Sequence, residues 1–158
     1  MDLYLNFNRL TAVQKAYLYM ENVTSLINFD ALFADGTKDY RIPEEPMPGD
    51  TVTLRFRTER DNVDTVFIVS SIGRIEMTKV SNDRLFDYYE GRLELGALRV
   101  SYYFEIHCGR VVCYYNTKGV SMDVQDYYSF FLAPGYKVPE WARGAVFYQI
   151  YVDRFCNG

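Results

Sequence analysis

The sequence has little of what most catalytic and metal-binding sites require. Its 158 residues include a single histidine, His107, a single tryptophan, Trp141, and three cysteines, Cys108, Cys113 and Cys156. Cys108 and Cys113 flank a predicted turn beside that one histidine, and this set does not complete a zinc site. Because an odd number of cysteines cannot all pair within one chain, we expect reduced thiols and a cytoplasmic protein.

Long apolar runs and short catalytic motifs are also missing from the sequence. No apolar run approaches the roughly 18 residues of a membrane span, and no basic segment followed by an apolar stretch opens the chain. The sequence contains no G-x-S-x-G, no phosphate-binding loop and no H-E-x-x-H. The formal net charge of −4 offers no source of attraction to polyphosphate, so we expect neither a membrane nor a nucleic acid as partner.

Aromatic residues are what the chain has in excess. They make up 17% of the sequence, carried mainly by 15 tyrosines and 11 phenylalanines. Large aromatic side chains favour β-strands and fill the cores of β-sandwiches. An exposed aromatic ring can instead stack on the apolar face of a sugar. We expect most of these rings in the core and a minority on a sugar-binding surface.

Short strands separated by turn signals, about one in every ten residues, indicate an all-β sandwich or barrel. The clearest strand is Thr51–Thr58, in which Val52, Leu54 and Phe56 alternate with polar residues. Thr65–Ser70 is expected to return as its partner across a turn at Asp61-Asn62. The further predicted strands are 29–34, 74–80, 85–95, 98–107, 111–115 and 127–132.

Two features qualify this pattern. Pro43, Pro46 and Pro48 predict a surface loop, since proline donates no hydrogen bond to a sheet. Gly91, inside the 85–95 strand, predicts either a β-bulge or a close approach of another part of the chain.

Five acidic residues between positions 87 and 126 are predicted to lie on solvated faces of strands and turns: Asp87, Glu90, Glu105, Asp123 and Asp126.

The run 145–152 (AVFYQIYV) differs from the other predicted strands because it is apolar on both faces, which is typical of a parallel sheet. A parallel strand needs a crossover of roughly a dozen residues or more to reach its neighbour, and the sequence ends at Gly158 before such a crossover. The sequence therefore predicts a larger α/β protein that is cut inside its second domain.

The segment 141–158 (WARGAVFYQIYVDRFCNG) resembles the start of the catalytic barrel in the α-amylase family, glycoside hydrolase family 13. It is most similar to the neopullulanase, cyclomaltodextrinase and maltogenic-amylase branch, with Tyr151 where phenylalanine is commoner. Residues 29–138 resemble the module that precedes the barrel in that branch, carbohydrate-binding module family 34, through PEEPMPGDTVTLRFRT, RLFDYYEGRLELG, YYFEI and CYYNTKGV. Tyr89 stands where those relatives carry tryptophan.

This resemblance implies an antiparallel, immunoglobulin-like β-sandwich at 29–135 with a short N-terminal extension at 1–28. A linker at 136–144 would follow, and then the first strand and loop of a truncated (β/α)8 barrel at 145–158. Two alternatives stay open for the extension: a helix capped by Thr11, or an edge strand at 3–7.

The resemblance also implies that this part of the protein is not itself an enzyme. In the family both catalytic carboxylates belong to later barrel strands, beyond residue 158, so the parent chain is expected to be the glycoside hydrolase. Asn157 aligns with the first ligand of a calcium site whose other ligands lie further along the barrel. We therefore expect no cofactor and no complete metal site in this chain, and calcium in the full-length enzyme.

Four pairs of adjacent tyrosines are the candidate sugar-binding residues. Adjacent residues of a strand point to opposite faces, so one ring of each pair should be available outside the core. The candidates are Tyr88, Tyr89, Tyr102, Tyr103, Tyr114, Tyr115, Tyr127 and Tyr128. The expected function is to bind or position starch-type α-glucans weakly for the catalytic barrel. The alternative is a structural or dimerisation module without sugar affinity, which packs on the barrel of its own or a partner subunit in a homodimer.

Overall fold

A computed structural model describes residues 26–142 and 144–146 of the chain, together with Thr11 and Val13. Apart from these positions, both alternatives for the N-terminal extension, the predicted strand beyond Val146, Cys156 and Asn157 lie outside the described residues. Ala145 and Val146 are exposed and form no strand. No helix in the described part of the chain is long and apolar enough to cross a membrane.

Two antiparallel sheets make up the described part of the chain, which confirms the all-β sandwich. The strands are β1 (Arg41–Ile42), β2 (Thr51–Glu59), β3 (Thr65–Ser70), β4 (Gly73–Glu76), β5 (Thr78–Asn82), β6 (Phe86–Glu94), β7 (Val100–Cys108), β8 (Val111–Asn116), β9 (Gly119–Ser121) and β10 (Phe130–Leu132). The four-stranded sheet has the order β1-β2-β6-β5. The six-stranded sheet has the order β4-β3-β7-β8-β9, with β10 paired to β7. Short 3-10 helices occupy Phe29–Ala31, Asp126–Tyr128 and Glu140–Ala142.

The core lies between the two sheets and follows the predicted two-residue periodicity. Val52, Leu54 and Phe56 of β2 have no exposed surface. From the opposite sheet, β7 contributes Phe104, whose ring centroid lies 4.6 Å from that of Phe56. Tyr102, next to it on the same inner face, is 1% exposed. Side chains of the two inner faces thus interdigitate as expected of a sandwich core.

Gly91 allows the two sheets to approach closely. A Cβ atom on Gly91 would lie 2.5 Å from Cδ1 of Ile68 in the opposite sheet and 3.2 Å from Cγ of Met77. The pairing of β6 with β2 runs through Gly91 without a shift in register. Of the two alternatives for this glycine, the close approach is confirmed.

The predicted pairing of Thr65–Ser70 with Thr51–Thr58 is wrong. β3 pairs with β7 and β4 in the other sheet. The intervening residues lead the chain from one sheet to the other. The Asp61 amide donates to Asp87 Oδ2 on the four-stranded side, and the Asp64 amide donates to the His107 carbonyl on the six-stranded side. Alternation of side chains predicted that both segments are strands, but it carries no information about their partners.

The predicted strand at 74–80 is two strands that belong to different sheets. β4 pairs with β3, and β5 pairs with β6. Met77, which lies between them, is 4% exposed, and its amide donates to the Val66 carbonyl. The chain therefore changes sheets at Met77.

Two further strand predictions are wrong in part. At 29–34, amides of Ala31 and Leu32 bond to carbonyls three residues earlier and close a 3-10 helix, and only Phe33 bridges to β2. At 127–132, the first residues complete the 3-10 helix Asp126–Tyr128, and only β10 is extended.

Candidate carbohydrate-binding surface

Three of the four tyrosine pairs place one ring inside the sandwich and its neighbour outside. Tyr89 and Tyr102 are 5% and 1% exposed. Tyr115 packs against the core, with its ring centroid 5.3 Å from that of Phe56. The rings of Tyr89 and Tyr102 are unavailable to a ligand, and the ring of Tyr115 is half-buried. Their outward neighbours are Tyr88, Tyr103 and Tyr114.

Burial also raises the pKa values of the inner tyrosines. It raises the pKa of Tyr102 to about 12. It likewise raises the pKa of Tyr89 and of Tyr115, although nearby positive charges oppose it. The inner phenols therefore stay neutral at physiological pH.

The fourth pair, Tyr127 and Tyr128, does not alternate, because it lies in a 3-10 helix instead of a strand. The Tyr127 side chain is 88% exposed. Its ring is perpendicular to that of Tyr128, with 5.2 Å between the centroids. The Lys118 ammonium lies 5.0 Å from the Tyr128 ring centroid. Neither member of this pair is buried, so the predicted division into an inner and an outer ring is wrong here.

Tyr88 lies on the outer face of the four-stranded sheet, where aromatic and charged groups are already paired. Its hydroxyl donates to Asp83 Oδ2 at 3.0 Å. The guanidinium of Arg57 lies 4.3 Å from the ring centroid of Phe86 and 5.0 Å from that of Phe33. This face therefore uses its rings in cation–π contacts within the chain.

Tyr103 and Tyr114 lie together on the outer face of the six-stranded sheet. They belong to the neighbouring strands β7 and β8, and their rings are perpendicular with centroids 5.8 Å apart. Burial raises the pKa of Tyr103, and the carboxylates of Glu105 and Asp126 add to this effect. The 3-10 helix Asp126–Tyr128 lies alongside β7, since Asp126 and Tyr103 line the same groove.

Glu105 is the charged centre of the same face. Its Oε1 accepts a hydrogen bond from Arg74 Nη2 at 2.8 Å and lies 2.5 Å from His107 Nε2. Burial opposes the charged form, but these hydrogen bonds outweigh it and lower the pKa of Glu105. The Arg74 guanidinium also lies 3.5 Å from the ring centroid of Phe67. Glu105 lies on the outer face of the sandwich, as the sequence predicted, and its carboxylate is held there in this network.

A groove of about 400 Å³ runs beside Tyr103; we call it the outer-sheet groove. It is lined by Val69, Ser70 and Ser71 at the end of β3, Ser101 and Tyr103 of β7, and Asp126 and Ser129 around the 3-10 helix. Within the described residues, the side chains of Ser71, Ser101, Asp126 and Ser129 make no hydrogen bond. The hydroxyls of Ser71 and Ser101 and the carboxylate of Asp126 are therefore available beside an aromatic ring.

The polar members of this groove were not predicted as binding residues. Asp126 is exposed, as the sequence predicted, but its contribution to a groove depends on the 3-10 helix lying next to β3 and β7. Ser71, Ser101 and Ser129 carry no sequence signal, because isolated serines occur in turns and on strands for many reasons. Only a prediction of the strand order could have brought them together.

A second groove, of about 600 Å³, opens near the point where the chain changes sheets, and Lys79 and Tyr89 are among its lining residues. Lys79 Nζ lies 2.6 Å from Asp87 Oδ2 and 3.1 Å from Asp61 Oδ1. Asp87 is 1% exposed, so the prediction of a solvated carboxylate is wrong for this residue. The charge of Lys79 is thus engaged within the chain.

No group of three or more histidine, cysteine or acidic side chains able to hold a metal ion occurs in the described part of the chain. Asn157, the predicted calcium ligand, is outside that part. Cys113 is fully buried, and burial raises the pKa of its thiol to about 11. Such a thiol is protonated and shielded, and therefore a poor nucleophile and a poor metal ligand.

Comparison with known proteins agrees with this architecture. Residues 45–136 match the family model described as the N-terminal ig-like domain of alpha amylase. The chain is 31% identical to a cyclomaltodextrinase of a Bacillus species over an alignment of 125 residues, and the match covers 70% of this chain and 22% of the relative. It is 37% identical to neopullulanase 2 of Thermoactinomyces vulgaris over an alignment of 87 residues, and the match covers 51% of this chain and 15% of the relative.

Solved structures show the same fold. A cyclomaltodextrinase superposes with a TM-score of 0.59 at 23% identity, over 77% of this chain and 23% of that protein. A maltogenic amylase from S. marinus gives a TM-score of 0.54 at 19% identity, over 82% of this chain and 18% of that protein. The chain spans less than a quarter of the length of each of these relatives. Its match to the family model covers more than half of its residues, and the chain belongs to the family of α-amylase N-terminal immunoglobulin-like domains.

Proposed function

We propose that this domain is the N-terminal accessory domain of an α-glucan-acting glycoside hydrolase and that it binds starch-type oligosaccharides weakly, holding them near the catalytic domain. The observation that carries the proposal is the placement of Tyr103 and Tyr114 on the outer face of a domain of this family. Relatives named cyclomaltodextrinase, neopullulanase and amylopullulanase support the class of substrate.

The chemistry of sugars suits such a surface. A pyranose ring has an apolar C–H face, which packs on a flat aromatic ring, and hydroxyl groups at its edge, which need polar partners. Small-molecule sites combine an aromatic lining with a few polar groups in the same way. Because an open sheet face buries only part of an oligosaccharide, we expect a dissociation constant of about 0.1–1 mM.

Hydrolysis itself is assigned to another part of the protein. A retaining glycosidase needs a nucleophile and an acid about 5–5.5 Å apart on either side of the scissile bond. The buried carboxylate Asp87 is committed to Lys79, and Glu105 is committed to Arg74 and His107. These acids serve the structure of the domain, and we propose that a barrel domain carries the catalytic pair.

Titration with maltoheptaose tests the proposal. We expect saturable heat in calorimetry and reduced mobility of the chain in native gels that contain starch. Cellohexaose, which is β-linked, is the matched control and should give neither effect. Unchanged mobility in starch together with no heat from maltoheptaose would contradict the binding function.

The exposed apolar residues after β10 favour a second candidate, an assembly module that packs on a catalytic barrel. Tyr136, Trp141 and Val146 are 65%, 73% and 94% exposed. The segment that carries them is held to the proline loop, since the Gly135 amide donates to the Pro46 carbonyl. Exposed apolar side chains of this size are typical of an interface.

Sedimentation of a longer chain that includes the barrel tests this second candidate. Replacement of Trp141 by serine should then lower the sedimentation coefficient, either because the barrel no longer packs on the domain within the chain or because a homodimer separates into subunits. Replacement of Tyr88 by serine, on the outer face of the four-stranded sheet, is the control and should leave the sedimentation coefficient unchanged. An unchanged coefficient for the Trp141 variant would exclude this surface from assembly.

A further inference from the structure

The outward aromatic rings differ in whether their faces are free. Arginine side chains cover three sets of them: Arg57 lies over Phe33 and Phe86, Arg74 over Phe67, and Arg99 over Phe131 at 3.5 Å. A ring covered by its own arginine cannot stack on a sugar without first losing that contact.

Tyr103 has no such cover among the described residues. Its ring meets Tyr114 edge to face, which restrains its orientation, and the outer-sheet groove lies beside it. A ring held in place by a neighbour loses little rotational freedom when a ligand binds, which favours affinity. Tyr103 is therefore the outward tyrosine best prepared to act as a platform.

The groove beside Tyr103 supplies the polar groups that a sugar needs. Asp126 is exposed, and its carboxylate makes no hydrogen bond within the described residues, so it is free to accept from two hydroxyl groups. Ser71 and Ser101 carry hydroxyls that can both donate and accept. Ser129 is 5% exposed, so the residue is fixed within the wall of the groove.

From this combination we infer that the outer-sheet groove binds a glucose residue of an α-glucan, with the sugar face on Tyr103 and its hydroxyl groups on Asp126. The inference rests on the proposed function and specifies the site at which it operates. The groove volume of about 400 Å³ falls within the range of roughly 300–1,000 Å³ that is usual for small-ligand sites.

Three variants of the chain, titrated with maltoheptaose, test this site. Tyr103→Ala removes the platform and should weaken binding by about tenfold. Asp126→Asn keeps the shape but removes the charge, and should weaken binding by about threefold to tenfold. Ser101→Trp fills the groove from an outward position of β7 and should abolish binding. Because Ser101→Trp and Asp126→Asn change no core contact, they remain informative if Tyr103→Ala fails to fold.

Tyr88→Ala is the matched control, since it removes an outward tyrosine from the opposite sheet. Its dissociation constant should stay within about twofold of that of the unchanged chain. If the unchanged chain binds maltoheptaose and the three groove variants bind equally well, the groove is not the site, while the proposed function stands. If Tyr88→Ala weakens binding and the groove variants do not, the site is on the other sheet. If the unchanged chain itself does not bind, the proposed function fails and this site with it.

Discussion

Single residues decide how closely the two sheets pack and which carboxylates are buried. The short distance between the sheets requires glycine at position 91, because a Cβ atom there would collide with Ile68 and crowd Met77. Asp87 stabilises the segment that leads from one sheet to the other, because its carboxylate accepts a hydrogen bond from the Asp61 amide and pairs with Lys79. Neither residue lines the outer-sheet groove, so these two requirements do not restrict the residues of the groove.

Gly91→Ala should destabilise the domain by about 1–3 kcal/mol, since an added methyl group overpacks the core at Ile68. Urea unfolding measures the change. Ile68→Val removes the Cδ1 atom that would collide, so the double variant should be more stable than Gly91→Ala alone. Ile68→Val alone, which we expect to cost about 0.5–1.5 kcal/mol, is the control. Equal stability of Gly91→Ala and the unchanged chain would show that the core has room for a methyl group here.

Lys79→Met should cost about 1–2 kcal/mol, because it leaves the buried Asp87 carboxylate with one fewer hydrogen bond. The half-exposed position of Lys79 limits the cost. Hydrogen bonds to Asp87 and Asp61 raise the pKa of Lys79. A raised folded pKa means stability that is present below pH 10.5 and lost as the pH rises through the folded value.

Urea unfolding between pH 7 and pH 12 checks this assignment. The stability difference between the unchanged chain and Lys79→Met should shrink at the alkaline end. Lys79→Arg, which keeps the charge, is the control and should keep most of the stability at pH 7. A constant difference across the range would mean that Lys79 contributes through packing instead of charge.

Among the elements, the strands themselves could be predicted from the sequence, whereas their partners could not. The alternation in Thr51–Thr58 predicted correctly which side chains face the core, whereas in 85–95 the sequence placed Asp87 on a solvated face and the structure buries it. Thr65–Ser70 was assigned to the wrong sheet, because side-chain period gives the face of a strand but not its neighbour. The groove depends on these partners, since it forms where β3, β7 and the 3-10 helix Asp126–Tyr128 meet. Its tyrosine was predictable from the sequence, and its serines were not.

β5 should be the least protected of the long strands of the four-stranded sheet. It is an edge strand with every residue exposed, and its register shifts between Lys79 and Ser81. Local opening needs little free energy where few apolar contacts are lost. Amides of β5 should therefore exchange with deuterium before those of β6, and Lys79→Met should speed the exchange of β5 alone. Equal protection of β5 and β6 would show that the sheet opens only as a whole.

At the scale of the whole molecule, tyrosine serves two purposes that the sandwich separates. One set of rings fills the space between the sheets, where aromatic contacts join Phe56, Tyr102 and Phe104. The other set lies outside, where Tyr103 lines the groove and Tyr114 contacts the Tyr103 ring. The excess of tyrosine in the sequence therefore predicted both a core and a surface, and the two-residue period of the strands divided the rings between them. The stability of a domain built in this way should depend on pH through the ionisation of its inner tyrosines.

Stability should fall as the pH rises above about 10, because the unfolded chain ionises its tyrosines there while the folded core keeps them neutral. Tyr102, with its pKa raised from 10.0 to about 12, contributes most clearly. Two pKa units correspond to about 2–3 kcal/mol lost between these pH values. Tyr102→Phe keeps the ring but cannot ionise, so its stability should decline by that much less over the same range in urea unfolding. Tyr127→Phe, at a ring that is 88% exposed, is the control and should follow the unchanged chain. Parallel curves for the unchanged chain and Tyr102→Phe would mean that ionisation of this buried phenol does not limit alkaline stability.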